Sequence, residues 1–405
     1  MTAEAHLPWV VPDTARPPGR LFAAALIGRI ANEMTAVAVV LLVLARGQGL
    51  ALAGIMAAAL ALPGVVTGPV LGAMLDRTRR PLRVISVEQA IGAVGLALLA
   101  ALIGHVPAAV TVLLAGVTGA LQPLSTGGMT SVLTGADEEF LPRATSIEAA
   151  SFGTASVVGP LLAAVLAGVE GAALAVLVQS ALKLVAMAIT VTASDTRPSP
   201  PAGRPVPSIS ATVAAGLRHF SNAGPLAAVT VSGALVMAGR GLFTVAFPLF
   251  AVESLGRGQD FAGFLWGAFA AGSAVGAITL TPWSRRWPSQ WVAVSGAALA
   301  GLALFPVPAF DSPAGPLVLL GLAGALYGPS LAATFDIRRR FTPRPFLGQV
   351  FTTAACVKNG SFAIGAAFSG ALVSGIGAAD AILVAAGLHL AASGVGAVLL
   401  ESRGR

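Results

Sequence analysis

A cation, an amide and a carboxylate interrupt the first long apolar run of the sequence. Arg29, Asn32 and Glu33 lie within residues 21–45, a run long enough to cross a bilayer. Their spacing places them on one face of a helix, where they can hydrogen-bond with each other or with groups opposite. Charged groups at membrane depth are costly and usually face a bundle interior or a watery cavity. We therefore expect a functional face here; the alternative is an ion pair that only holds helices in register.

The composition indicates a protein that spans a membrane. Of the 405 residues, 56% are hydrophobic and 10% are charged, whereas a soluble chain carries about 25% charged residues. Little room remains for a soluble catalytic domain, so we expect no enzyme. The net charge of +7 would suit a nucleic-acid-binding protein, but the basic residues cluster at the ends of apolar runs. That distribution favours membrane topology over nucleic-acid binding.

The residue types needed for metal, redox or nucleotide chemistry are sparse. The chain has one cysteine, Cys356, and four scattered histidines without ligand spacing. It also lacks the Gly-rich loop that ends in Lys-Ser or Lys-Thr and binds ATP. We expect no disulfide within the chain, no metal site, no cofactor and no ATP-driven pump.

Apolar runs separated by Pro, Gly and charged residues predict twelve membrane-spanning helices. Their predicted ranges are 21–45, 50–75, 82–104, 107–133, 144–168, 172–193, 225–250, 260–282, 290–310, 314–335, 348–375 and 378–400. The fold class is therefore an all-α integral membrane protein.

The spans fall into two sets of six, separated by one long linker rich in Pro, Ser and Arg. We expect a cytoplasmic tail (1–20), a six-helix bundle (21–193), a cytoplasmic linker (194–224) and a second six-helix bundle (225–405). A helical pattern over 209–220 indicates a short helix that lies on the membrane surface or packs on the bundle. The halves resemble each other at an offset of about 208 residues. Two parallel six-helix repeats are typical of a rocking transporter with its site near the midplane.

The distribution of Lys and Arg predicts the orientation. The tail, the linker and the loops on their side hold 18 of these residues, and the opposite loops hold only Arg46 and Arg257. Cytoplasmic loops carry the excess of positive charge. Both termini are therefore expected in the cytoplasm, with the chain in the inner or plasma membrane in contact with lipid.

The loop after the second span resembles the signature of the major facilitator superfamily. The matching residues are Gly72, Asp76, Arg77, Arg79 and Arg80; the Gly usual inside the basic cluster is missing. The resemblance implies that these residues form a conformational latch. Alternatively, the arginines only fix the topology.

The fifth and fourth spans bear on the direction of transport. Gly159-Pro160 is similar to a Gly-Pro motif of the family's exporters, although Ala163-Ala164 replaces the paired glycines expected after it. In the fourth span, Ala115 stands where drug exporters of the family often have an Arg. Close packing of small residues is the alternative reading of these positions.

The resemblance implies that spans one, four, seven and ten line the substrate path, with five and eleven helping. The candidates for the substrate and proton pathway are Arg29, Asn32, Glu33, Gln122, Ser125, Arg240, Tyr327, Lys358 and Asn359. Lys183 is expected to be structural or to reach the interface, and Glu88 and Glu148 to lie at the latch or surface.

Glu33 is the one deep carboxylate on an expected lining helix. A carboxyl group is protonated more easily in an apolar environment than beside a cation. Rocking could thus load and unload a proton at Glu33 by changing its distance from Arg29 and Arg240.

The resulting hypothesis is a monomeric secondary active transporter that exports a small organic compound, with deep cations favouring an anion, in a proton-coupled antiport. An importer or uniporter of a polar nutrient is the alternative within the transporters. A membrane sensor that binds a ligand without moving it is the alternative outside them.

Overall fold

The computed structural model describes residues 19–134, 141–193, 224–342 and 347–402. Within these residues all regular structure is helical, and 12 helices are long and apolar enough to cross a membrane. We number them in chain order: α1 Gly19–Ala45, α2 Leu50–Arg77, α3 Pro81–Leu102, α4 Ala108–Leu121, α5 Leu141–Glu170, α6 Ala172–Val191, α7 Gly224–Glu253, α8 Ala262–Thr279, α9 Ser289–Leu304, α10 Ala314–Arg340, α11 Leu347–Ile376 and α12 Ala378–Ser402.

The predicted all-α fold with twelve spans is confirmed. Two helix ends differ from the sequence-based ranges by five or six residues: α9 ends at Leu304, and α10 continues to Arg340 and therefore carries Arg338 inside the helix. The predicted tail, most of the linker and its short helix over 209–220 lie outside the described residues.

The fourth span is continuous in the prediction but changes its winding in the structure. After α4, residues Leu124–Gly128 form a π-helical turn, followed by a short α-helix at Met129–Thr134. Pro123 stands just before the wide turn; proline has no N–H to donate and its ring crowds the preceding turn of a helix. Such turns recur at functional sites, and this one contains Ser125.

We call α1–α6 the first half and α7–α12 the second half. In the first half, α1 packs against α5 and α6, and α3 against α6; in the second half, α7 packs against α11 and α12, and α8 against α10. The halves meet along two pairs of helices, α2 with α11 and α5 with α8. Glycines permit the close approach: Gly54 lies against the backbone of Ala366, and Gly263 against that of Pro160.

We call the side where α6 ends and α7 begins the linker end, and the side where α1 ends and α2 begins the far end. Toward the far end the halves share one hydrophobic core. It includes Val37–Val43 of α1, Phe243 and Phe247 of α7, and Trp266 of α8. Here α5 and α8 meet at several levels, among them Gly168 against Asp260.

Toward the linker end, the described residues form a separate core in each half. The first-half cluster comprises Leu21, Ala25, Leu75, Leu82, Ile85, Leu124, Met129, Leu133 and Ala193. The second-half cluster comprises Leu226, Val229, Ala293, Ala333, Ile337 and Ala354. Within the described residues, therefore, one hydrophobic core joins the halves at the far end, whereas each half has its own core at the linker end.

Candidate functional site

The ionisable residues at membrane depth fall into two classes, and the first class is paired within the first half. Arg29 donates hydrogen bonds to both carboxylate oxygens of Glu148, at 2.8 and 2.5 Å. Its guanidinium also bonds to the hydroxyls of Thr130 and Ser151 and lies 3.9 Å from the ring centre of Phe152. With only 1% of its surface exposed, Arg29 lies enclosed between α1, α5 and the segment after α4.

Lys183 belongs to the same class. Its Nζ donates to Glu88 Oε1 at 3.0 Å, and both side chains are buried. The expectation that Glu88 and Glu148 lie at the latch or surface is wrong. Each is buried inside the first half because each neutralises a deep cation there.

The second class consists of Glu33, Arg240 and Lys358, which we call the central triad. No described residue forms a direct hydrogen bond or ion pair with any of the three. They nevertheless interact electrostatically, because Glu33 attracts both Arg240 and Lys358. Buried charges that serve only the fold are paired. Three charges near one another without direct partners are the signature expected of a binding site.

The triad lies at one depth and between the halves. Each of its members sits near the middle of its helix, Glu33 on α1, Arg240 on α7 and Lys358 on α11. Glu33 and Lys358 are exposed and Arg240 is half-buried. Because the exposed Glu33 interacts with charges of the second half, its accessible surface faces the space between the halves and not the lipid.

Aromatic rings form the wall behind Arg240. Its guanidinium carbon lies 4.9 Å from the ring centre of Phe269 and 5.6 Å from that of Trp266. Cation–π contact of this kind stabilises a guanidinium that lacks an anion. Tyr327 packs beside Phe269, and Phe362 beside Trp266, with ring centres 6.3 and 6.4 Å apart.

This wall was not predicted from the sequence. Trp266 and Phe269 are on α8, which the family resemblance did not place among the lining helices. Their three-residue spacing puts both rings on one helix face, and that spacing was the available signal. It is a weak one, because aromatic pairs at helical spacing are common in any packed core.

The remaining polar candidates are divided between the two halves. Asn32 Nδ2 donates to Ser125 Oγ at 3.5 Å, and Ser125 Oγ donates to the carbonyl of Gln122 at 3.1 Å. Asn32 Oδ1 is buried and has no hydrogen-bond partner among the described residues. Tyr327 is half-buried, and Asn359 is exposed next to Lys358. Amide and hydroxyl groups thus join α1 to the segment after α4.

Close packing of α5 against α1 fixes Glu33 on that side. A Cβ at Gly159 would lie 2.7 Å from Glu33 Cβ and 3.0 Å from the carbonyl oxygen of Ile30. Only glycine, which has no Cβ, lets α5 reach the α1 backbone at this level.

The motif after the second span is only partly described. Gly72 lies in α2, and Arg79 and Arg80 are exposed between α2 and α3. The side chains of Asp76 and Arg77 lie outside the described part of the structure. The latch therefore stays a prediction.

No group of three or more His, Cys, Asp or Glu side chains in the described ranges could hold a metal ion. The arrangement of the triad can instead do two things. It can attract an anion to Arg240 and Lys358, and it can bind or release a proton at Glu33.

Known proteins share this architecture. A family model described as Major Facilitator Superfamily matches residues 21–353. An uncharacterized MFS-type transporter, y4rN, of Sinorhizobium fredii (strain NBRC 101917 / NGR234) is 26% identical over 375 residues, which cover 91% of each chain.

Two solved structures are similar in fold at low sequence identity. One is a bacterial homolog of the human lysosomal transporter Spinster in an inward-facing, unoccupied conformation, with a TM-score of 0.71, 12% identity and 94% of each chain covered. The other is the nucleoside transporter NupG, with a TM-score of 0.69, 16% identity, and 94% of this chain and 98% of that chain covered. With the family model matched over most of its length and twelve spans in place, this chain belongs to the major facilitator superfamily of multi-pass membrane transporters.

Proposed function

We propose that this protein is a proton-coupled secondary transporter that moves a small organic compound by alternating access, with Glu33 as the group that carries the proton. One observation carries the proposal. A carboxylate of the first half faces two cations of the second half in mid-membrane, and none of the three has a direct partner among the described residues. Ionisable groups are kept at that depth for function.

The packing supports rocking as the transport movement. The halves share a core at the far end, while the described residues form separate cores at the linker end. The loops, helix ends and tails assigned to the linker end hold 18 of the 24 Lys and Arg residues, which favours a cytoplasmic position for that end. The described state is then inward-facing, and an outward-facing state requires the shared core to part and the separate cores to meet.

Rocking would change the environment of Glu33. In the described state Arg240 and Lys358 attract it across the gap between the halves. A movement that separates the halves at this level would weaken that attraction, and the proton affinity of a carboxylate depends on such nearby cations. The carrier would thus release its proton in one state and regain it in the other.

The proposal takes the two halves, divided at the linker 194–224, as the moving bodies, and the monomer in the inner or plasma membrane as the working unit. Efflux is the direction favoured by the Gly159-Pro160 motif of α5. Uptake is the second candidate, and a specific observation favours it: two cations oppose a single carboxylate at the site.

Distances between spin labels test the proposal without knowledge of the substrate. In a Cys356→Ser background, one label pair at Arg79 and Arg285 reports the linker end, and another at Gln48 and Asp311 reports the far end. All four positions are exposed. In nanodiscs, lowering the pH from 8.0 to 5.5 should change the two distance distributions in opposite directions.

Glu33→Gln should hold the low-pH distributions at every pH, because it mimics the protonated carboxyl group. Glu170→Gln, at the exposed end of α5, serves as the control and should keep the wild-type response. If the wild-type distances do not respond to pH, proton coupling at Glu33 is wrong.

A further inference from the structure

We infer that the compound is a small organic monoanion with an apolar, planar body, and that it binds together with the proton rather than in exchange for it. This inference rests on the proposed function, since it concerns the same site. It goes further by assigning the substrate class and the sense of the coupling. The protein is then a proton–anion symporter, which selects uptake, the second candidate direction, over efflux.

The first argument is the charge balance at the site. Arg240 and Lys358 are two cations facing one carboxylate, and neither has a direct anionic partner among the described residues. Positive charge is therefore in excess beside Glu33, and a bound anion would neutralise it.

The other helices packed against α1 do not restore the balance. Glu148 of α5 forms an ion pair with Arg29, and Lys183 of α6 forms an ion pair with Glu88. The segment Leu124–Thr134 contains no titratable residue, and the ionisable residues of α2, at 76 and 77, stand at its end. Glu33 is thus the one carboxylate among the described residues that competes with an incoming anion for the triad's cations.

The competition decides the sense of the coupling. Protonation of Glu33 removes its attraction for Arg240 and Lys358, so both cations become better partners for an anion. By thermodynamic reciprocity, a bound anion raises the affinity for the proton by the same factor. Species that strengthen each other's binding occupy the carrier together and cross together. Antiport would need a cation, which competes with the proton for Glu33.

The second argument concerns the body of the compound. The rings of Phe269 and Trp266 cover one face of the Arg240 guanidinium, and Arg240 Nε has no hydrogen-bond partner among the described atoms. An anionic head group can therefore approach the N–H edge of the guanidinium. An apolar ring attached to that head group would meet Tyr327 and Phe362, which are both half-buried.

The test uses probes whose charge does not change with pH. Benzenesulfonate, benzenesulfonamide and phenyltrimethylammonium share a benzene ring and are anionic, neutral and cationic, and methanesulfonate has the anionic head without the ring. Binding to the full-length protein in nanodiscs is measured by titration calorimetry at pH 5.5 and 8.0. Two buffers of different ionisation enthalpy give the number of protons taken up.

Benzenesulfonate should bind more tightly at pH 5.5 than at pH 8.0, with net proton uptake on binding, and more tightly than methanesulfonate. Glu33→Gln should bind it equally well at both pH values, while Glu170→Gln keeps the wild-type pH dependence. Arg240→Gln and Lys358→Gln should each weaken it at least tenfold at pH 5.5.

Two results would overturn the inference. One is an absence of benzenesulfonate binding at pH 5.5, which rejects the aromatic monoanion. The other is binding of phenyltrimethylammonium with proton release, which indicates antiport of a cation. In either case a pH response of the spin-label distances would leave the proposed function intact, so the two failures can be told apart.

Discussion

Glu148 accepts two hydrogen bonds from the guanidinium of Arg29, and the exposed fraction of these side chains is 5% and 1%. The pair joins α1 to α5 inside the first half, on the same helix that presents Glu33 to the space between the halves. The helix α1 therefore carries Arg29, which is paired with a carboxylate, and four residues later Glu33, which has no direct ion pair among the described residues. That contrast separates groups that hold the first half together from groups available for transport.

Breaking the Arg29–Glu148 pair should destabilise the protein strongly. Glu148→Gln leaves Arg29 buried without a counter-charge, which costs about 3–5 kcal/mol. Replacing both residues with Met should recover most of that loss, because no isolated charge remains. Thermal unfolding in detergent measures both effects. If the single and double variants unfold at the same temperature, the pair does not stabilise the first half.

The two lysines at membrane depth should behave differently. Lys183→Gln leaves the buried carboxylate of Glu88 without a counter-charge and should lower the free energy of unfolding by about 3–5 kcal/mol. Lys358→Gln should change it little, because Lys358 has no direct partner among the described residues and its attraction to Glu33 is opposed by repulsion from Arg240. The same unfolding assay compares them. A large loss for Lys358→Gln would mean that it supports the fold.

Gly159 should not tolerate even a methyl group. Gly159→Ala places a Cβ against Glu33 Cβ and the Ile30 carbonyl, and overpacking of this kind costs about 1–3 kcal/mol. Gly153→Ala, in the same helix, is the matched control, since no atom lies within 4 Å of its added Cβ. We expect reduced stability for the first variant only. Equal effects would show that α5 and α1 adjust freely at this level.

Asp76→Asn tests the latch implied by the family resemblance. If Asp76 holds one end state, the variant should insert and fold normally but shift the distance distribution of the label pair at Arg79 and Arg285. The expected change is confined to conformational balance, because thermal stability should stay close to that of the wild type. If the distribution is unaltered, the motif does not act as a latch and its arginines only fix the topology.

The sequence was sufficient for the membrane architecture. The length of an apolar run and the charged residues at its ends can be read from the local sequence. Because backbone N–H and C=O groups must be hydrogen-bonded within lipid, each such run forms a helix. The helix ends followed closely, except where Pro123 precedes the wide turn of the fourth span, where α9 stopped at Leu304 and where α10 continued to Arg340. The sequence also singled out Glu33, Arg240 and Lys358 as candidates, because a charge in an apolar run stands out.

Only the tertiary structure decided what each deep charge does. Arg29 and Glu148 are 119 residues apart, and Lys183 and Glu88 are 95 apart, so no spacing rule could pair them. All five of the deep charges Arg29, Glu33, Lys183, Arg240 and Lys358 look alike in the sequence. The packing of α1 against α5 and of α3 against α6 brings counter-charges to Arg29 and Lys183. Across the gap between the halves, Glu33, Arg240 and Lys358 attract or repel one another, but none of them forms a direct ion pair among the described residues. Burial of a charge is tolerated either with a partner or for a function, and which applies depends on the helices that come into contact.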